Sequence, residues 1–230
     1  MDVSIKFLHT SKYLVINTLQ TLKIMLPSIT LNPDDYYYAL NQPCTILPQL
    51  LEYVQSVEDW EGLDWHTFYL DVPNRTACNF ESDPVIKFFL DQGWRLNFTC
   101  MPPKGHYRWH IDNQGNRQTA INLALNGFET TKVMWRPNRP YVRKMNTEIM
   151  DIPYTPGTYF VFNTQEEHCV TNFSNENRYL LSITPDKRFA VPEYFDGIYK
   201  NVSPSRYAEI LKGYKLAFKE VVSEVKAQGW

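Results

Sequence analysis

The run Gly157-Thr158-Tyr159-Phe160-Val161-Phe162-Asn163-Thr164-Gln165-Glu166-Glu167-His168-Cys169-Val170-Thr171-Asn172 decides the fold. Its first seven residues are dominated by aromatic and β-branched side chains, which suit a pleated strand. Thr164 to Glu167 then turn the chain, and 168–172 return as a second strand that carries His168 back towards the sheet. Upstream, Trp109-His110-Ile111-Asp112 supplies the complement. In an extended strand side chains two apart share a face, so His110 and Asp112 project side by side. Downstream, Arg178 follows His168 by ten residues and opens the apolar run Arg178-Tyr179-Leu180-Leu181-Ser182-Ile183-Thr184, which puts its guanidinium deep in the same barrel.

Around this run the period is that of short strands. From Trp94 onward alternating stretches at 94–101, 107–112, 119–125, 132–136, 148–152, 157–163, 168–172 and 178–184 are separated by turn residues such as Pro102-Pro103-Lys104-Gly105 and Asn126-Gly127. Eight such strands predict a two-sheet jelly roll. Helical spacing flanks them. Leu14, Val15, Leu19, Leu22 and Met25 mark a helix ended by Pro27, and Pro48 starts a short one through Val54. Residues 57–82 read as irregular. A helix over 84–90 is capped by Ser82 or Asp83 and closed by Gly93. Pro204 to Ala227 forms a long amphipathic helix suited to covering one sheet. The expected organisation is one domain over 1–230: a largely helical and irregular part to residue 93, a β-barrel core over 94–186, and a helical cover from 187.

Two imidazoles and one carboxylate on one face of a metal ion leave three coordination positions open, the arrangement of non-haem Fe(II) oxygenases. His110, Asp112 and His168 are therefore the candidate ligands. A single His is more often a satisfied core or surface group. The set is a different matter, because burying two His, an Asp and an Arg in one barrel leaves costly polar groups that a divalent ion and an anion satisfy together. His106 shares the strand alternation with His110, but Pro102, Pro103 and Gly105 oppose the helix that a His-x-x-x-His zinc site needs. His106 is accordingly read as a pocket or surface residue. Glu166 and Glu167 read as loop carboxylates, and Cys169 as a packing residue on the face opposite His168.

The ordered set, His-x-Asp, a Gly-led apolar strand before a distal His, and an Arg ten residues later, resembles the 2-oxoglutarate/Fe(II)-dependent oxygenase superfamily over residues 94–186. Ala120-Ile121-Asn122-Leu123-Ala124-Leu125, with 157–163, His168 and Arg178, is most similar to its aspartyl/asparaginyl β-hydroxylase branch. The resemblance implies a mainly β, cupin-like double-stranded β-helix with flanking helices, holding Fe(II) on His110, Asp112 and His168 and taking 2-oxoglutarate as cosubstrate. Arg178 would then hold the distal carboxylate with a planar, two-bond fork that lysine cannot reproduce. Asn122 stands where the branch places a polar group for the metal-proximal carboxylate. Ser182 is a further cofactor-binding candidate, and Asn97 and Thr99 follow from alternation alone. The implied reaction consumes dioxygen, releases succinate and CO2, and hydroxylates an amino-acid or peptide side chain. Two other readings use the same barrel: a cupin-like metalloenzyme without 2-oxoglutarate, which has no need of Arg178, and a non-catalytic binding protein, which has no need of three ligands.

Composition fits a soluble globular protein: 230 residues, 43% apolar, 15% aromatic, and a formal net charge of −2. That balance gives no basic footprint for nucleic acid. Four scattered cysteines without a CxxC pair read as reduced thiols. The first 27 residues contain Lys6, Lys12 and Lys23 and no continuous apolar region, and no stretch reaches the roughly 18 apolar residues of a membrane span. A cytoplasmic location is therefore expected, and the Asn-x-Ser/Thr triplets at Asn74, Asn97, Asn172 and Asn201 carry no glycan there. Arg136, Arg139, Arg143 and Lys144, in a Pro-interrupted loop, are solvated charge by default and can border the mouth for an acidic group. Trp60, Trp65, Phe68 and Tyr69 can close over it.

Overall fold

Eleven strands among the described residues form two antiparallel sheets. The computed structural model describes residues 31–58, 60–64, 67–71, 78–112, 119–126, 131–136, 150–185 and 217–230. In chain order the elements are β1 (Tyr37–Pro43), α1 (Leu47–Ser56), β2 (Glu61–Asp64), β3 (Thr67–Asp71), α2 (Pro84–Asp91), β4 (Arg95–Met101), β5 (His106–His110), β6 (Ala120–Ala124), β7 (Thr131–Arg136), β8 (Met150–Asp151), β9 (Thr158–Phe162), β10 (Glu167–Asn172) and β11 (Arg178–Thr184). A last helix, α3, spans 217–227. The major sheet runs β1-β9-β6-β11-β4-β3-β2 and the minor sheet β5-β10-β7-β8. This is the expected jelly roll. No helix among the described residues is long and apolar enough to cross a membrane.

Strand alternation divides the major sheet into two unlike faces. On β11, Tyr179, Leu181 and Ile183 point outward and join Leu96, Phe98, Ile121, Leu123, Tyr159 and Val161 in one core. Leu50 and Val54 of α1, Ile86 and Phe89 of α2, and Phe218, Val221 and Val225 of α3 cover it. Asp83 caps α2, accepting from the N–H groups of Val85 and Ile86 at 3.0 and 3.1 Å, and from Thr45 N–H at 2.8 Å, so the cap also ties down the entry to α1. Gly93 ends α2 at φ 81°, where a side chain is strained. The other face of β11 carries Arg178, Leu180, Ser182 and Thr184 and looks towards the minor sheet, across a smaller core that contains Phe160, Phe162, Val133 and Trp135.

Within the part expected to be largely helical and irregular, β1, β2 and β3 belong to the major sheet. β1 is an edge strand paired through its backbone to β9, with a register irregularity between Ala39 and Pro43, and an edge tolerates proline. Asp112 also departs, in a smaller way. The strand ends at His110, and Asp112 is fixed instead by its N–H donating to Thr164 O at 3.1 Å. Glu167 begins β10 and is buried, so it is not a loop carboxylate. Asn172, at the other end of β10, is wholly buried. Its Nδ2 donates to the carbonyls of Met101, Pro102 and Glu176 at 3.2, 3.0 and 2.8 Å, clamping the β4–β5 turn to the β10–β11 hairpin. The helix expected before Pro27, the part of the last helix before residue 217, Trp65, Arg139, Arg143 and Lys144 lie outside the described residues.

Candidate metal centre

β5 and β10 pair with His110 directly opposite His168. Opposed residues in an antiparallel ladder share a face, so both imidazoles enter the space between the sheets. Between Tyr107 and His110 β5 carries one residue more than β10 does between Val170 and His168. This bulge breaks the alternation that put His106 and His110 together. Tyr107 turns inward and packs edge-on against His110 with ring centroids 4.2 Å apart, whereas His106 is exposed and its Nδ1 meets Thr171 Oγ at 3.0 Å.

The tautomer of each ring is set by the chain beside it. His110 Nδ1 lies 2.8 Å from Arg108 O, and His168 Nδ1 lies 2.9 Å from Glu166 O. A carbonyl only accepts, so each Nδ1 carries a hydrogen, which leaves Nε2 as the nitrogen whose lone pair can bind a metal. Both Nε2 atoms face Asp112 Oδ1, at 3.3 Å from His110 and 3.9 Å from His168. The three ligand atoms lie within 4.8 Å of one another, a set of two nitrogens and one oxygen that fits a divalent transition ion. The turn that returns the chain therefore also builds the site: Glu166 orients His168, Thr164 O holds Asp112, and Gln165 Nε2 donates to Asp112 O at 3.2 Å.

From these ligands a cavity of about 570 Å³, open mouth included, runs inward to Arg178. Arg178 is 4% exposed and its guanidinium lies over the Tyr154 ring, 5.9 Å from the centroid. Burial pulls its pKa down from 12.5 to about 10, with Tyr154 opposing the shift, so it remains a cation at neutral pH but a poorly solvated one. Burial likewise pushes the Tyr154 hydroxyl up to about 12, partly offset by Arg178 and by a hydrogen bond from Asn122. A desolvated cation and a neutral phenol at the end of a cavity fit a carboxylate.

Of the residues singled out by sequence, His110, Asp112, His168, Arg178, Asn122 and Thr99 line this cavity. Ser182 stands behind its wall, directly opposite Asn122 on the neighbouring strand, and donates to Asn122 Oδ1 at 2.9 Å. Asn97 is one pair further along the sheet from Thr99, bonded to Thr184 at 3.2 Å. Tyr107 and Tyr154 were not singled out. Tyr154 sits between Pro153 and Pro156, where no periodicity marks a face, and the bulge that turns Tyr107 inward has no signature in His106-Tyr107-Arg108.

No protein-family model and no curated protein matches the sequence. Among solved structures the chain is similar to the non-haem alpha ketoglutarate dependent epimerase SnoN from nogalamycin biosynthesis, at 12% identity over 75% of this chain and 88% of that one, with a TM-score of 0.50. AviO1 from Streptomyces viridochromogenes Tue57 gives 16% identity, 69% and 92% coverage and a TM-score of 0.48. A prolyl-4-hydroxylase of Pseudomonas putida gives 14%, 65% and 92%, and 0.47. At 12% identity the property shared with the epimerase is the fold, a double-stranded β-helix.

Proposed function

We propose that the protein is an Fe(II)- and 2-oxoglutarate-dependent oxygenase that hydroxylates an amino-acid or peptide side chain. The observation that carries this reading is the pair of imidazoles locked with Nε2 towards Asp112, at the mouth end of a cavity whose other end holds a desolvated Arg178. His110, Asp112 and His168 would hold the iron. When bound, iron supplies the activation of dioxygen that no side chain provides. The chain contributes the rest. Arg178 and Tyr154 hold the distal carboxylate of 2-oxoglutarate, Asp112 lowers the charge of the metal site, and Phe162, Val133 and Leu180 keep the cavity wall apolar, which strengthens each polar contact inside it.

A cupin-like metalloenzyme without 2-oxoglutarate has no use for a buried guanidinium facing its metal, and a binding protein has no use for two oriented Nε2 atoms. The sequence likeness to the aspartyl/asparaginyl branch supports an amino-acid or peptide substrate over other metabolites. The test is succinate formation from 2-oxoglutarate by the iron-loaded protein in the presence of free amino acids and peptides. Iron-dependent succinate is the expected result, and turnover of a substrate with no demand for 2-oxoglutarate would replace this reading by the cupin one.

A further inference from the structure

Ser182 and Asn122 form a hydrogen-bonded pair on facing strands, and the pair ends on the phenol beside Arg178. Ser182 is 0% exposed, lies behind the cavity wall, and donates through Oγ to Asn122 Oδ1 at 2.9 Å. With its carbonyl engaged, the Asn122 amide presents Nδ2 on its other side, and Nδ2 donates to the Tyr154 hydroxyl oxygen at 3.4 Å. The ring of Tyr154 is held by edge-on packing against Phe160, with centroids 4.8 Å apart, and Phe160 is itself the register partner of Asn122. The end of the chain of bonds is therefore held against β9, the strand paired with the one that carries Asn122.

The direction of these bonds has a chemical consequence. An amide can sit either way round. In the observed direction Tyr154 accepts from Asn122, so its own hydrogen points away from Asn122. In the reverse direction Asn122 Oδ1 would take the phenolic hydrogen, and the donor would be spent inside the wall. In the observed arrangement Ser182 is the donor and engages Oδ1, which leaves Nδ2 as the group that meets Tyr154. We propose that Ser182 and Asn122 are positioning residues, which act through Tyr154 by keeping its hydroxyl a hydrogen-bond donor to the cosubstrate carboxylate held by Arg178. The assignment rests on the 2-oxoglutarate reading, and it gives Asn122 and Ser182 an indirect role in place of contact with the cosubstrate.

The test is a double-mutant cycle on 2-oxoglutarate affinity, measured by calorimetry on the full chain loaded with Fe(II) without oxygen. Iron occupancy and melting temperature are recorded for each variant. Loss of one hydrogen bond to a charged group predicts a roughly tenfold weaker affinity in Tyr154→Phe. Ser182→Ala should weaken binding in the same direction in the parent and change nothing further when Tyr154→Phe is already present. Asn122→Ala, run through the same cycle, interrupts the chain of bonds at its middle and serves if Ser182→Ala does not fold. An unchanged affinity in Tyr154→Phe, or equal losses from Ser182→Ala (or Asn122→Ala) in both backgrounds, overturns the positioning role and leaves the cosubstrate reading standing. A parent protein that does not bind 2-oxoglutarate overturns both.

Discussion

The two faces of the major sheet are made by the same strands and do opposite work. Outward, Phe98, Leu123, Leu181 and Ile183 pack in an apolar core covered by three helices. Inward, one residue along, Arg178, Ser182 and Asn122 are buried too but polar, and in the proposed function their arrangement serves a ligand. The lesson is that burial does not separate packing from function here. The chemistry of the buried atom does, because an apolar side chain is stabilised by losing water, whereas a guanidinium is stabilised only if something replaces it.

The sharpest way to break the comparison is to remove one metal ligand. His168→Ala should abolish stoichiometric iron binding, measured by metal analysis after desalting, because Asp112 and one imidazole no longer make a facial set. Full occupancy in that variant would take away the assigned role of the inner face. The converse change is Phe98→Ala on the outer face. A large ring in a closed core should cost about 3–5 kcal/mol in denaturant unfolding, with the metal ligands untouched. If His168→Ala costs the metal-free protein as much as Phe98→Ala does, the two faces are not specialised as described.

Arg178 sharpens the comparison further. Arg178→Lys keeps the charge and loses the fork, and should weaken 2-oxoglutarate about tenfold or more with iron binding nearly unchanged. Arg178→Met should go further for the cosubstrate, yet leave the ligand-free protein as resistant to denaturant as the parent or more so, since the cost of desolvating the cation disappears. A clear loss of ligand-free stability in Arg178→Met would make Arg178 a structural residue.

The smallest effect concerns two thiols near the outer face. Burial raises both Cys44 and Cys100 from 9.0 to about 11. Between those values the unfolded chain has released protons that the folded chain still holds, so stability falls as pH rises from 9 towards 11. Cys44→Ala with Cys100→Val should flatten that decline, most visibly below pH 10 where tyrosines contribute little. An identical slope in parent and variant would place the titration elsewhere.

How much of this was legible differs from residue to residue. β4, β6, β9, β10 and β11 were readable because Leu96 to Cys100 and Leu180 to Ile183 carry dense apolar and aromatic residues between clear turn signals. In the minor sheet β10 pairs with β5 and sets His168 opposite His110, so the juxtaposition of the two imidazoles was legible too. β1 was not, since Tyr37-Tyr38-Ala39-Leu40-Asn41-Gln42-Pro43 has no alternation and becomes a strand only because β9 offers it a free edge. β2, with Glu61 and Asp64 in four residues, is similar. Asp112 does lie beside the two imidazoles, as expected, but the argument for it is incomplete, because the carbonyl of Thr164 rather than strand pairing holds its backbone. Tyr154 needed the fold itself, as nothing local distinguishes it from the other tyrosines.

Asn172 gives the hairpin clamp a temporal meaning. In the unfolded chain Asn172-Phe173-Ser174 is an accessible acceptor triplet, while in the folded protein the same Nδ2 is shared among three carbonyls from two different turns. A sugar attached there would replace a donor hydrogen and need room where none exists. Folding and modification at this residue are thus mutually exclusive. In any compartment that glycosylates, closure of the β10–β11 hairpin would become a race, won only by chains that bury the amide first.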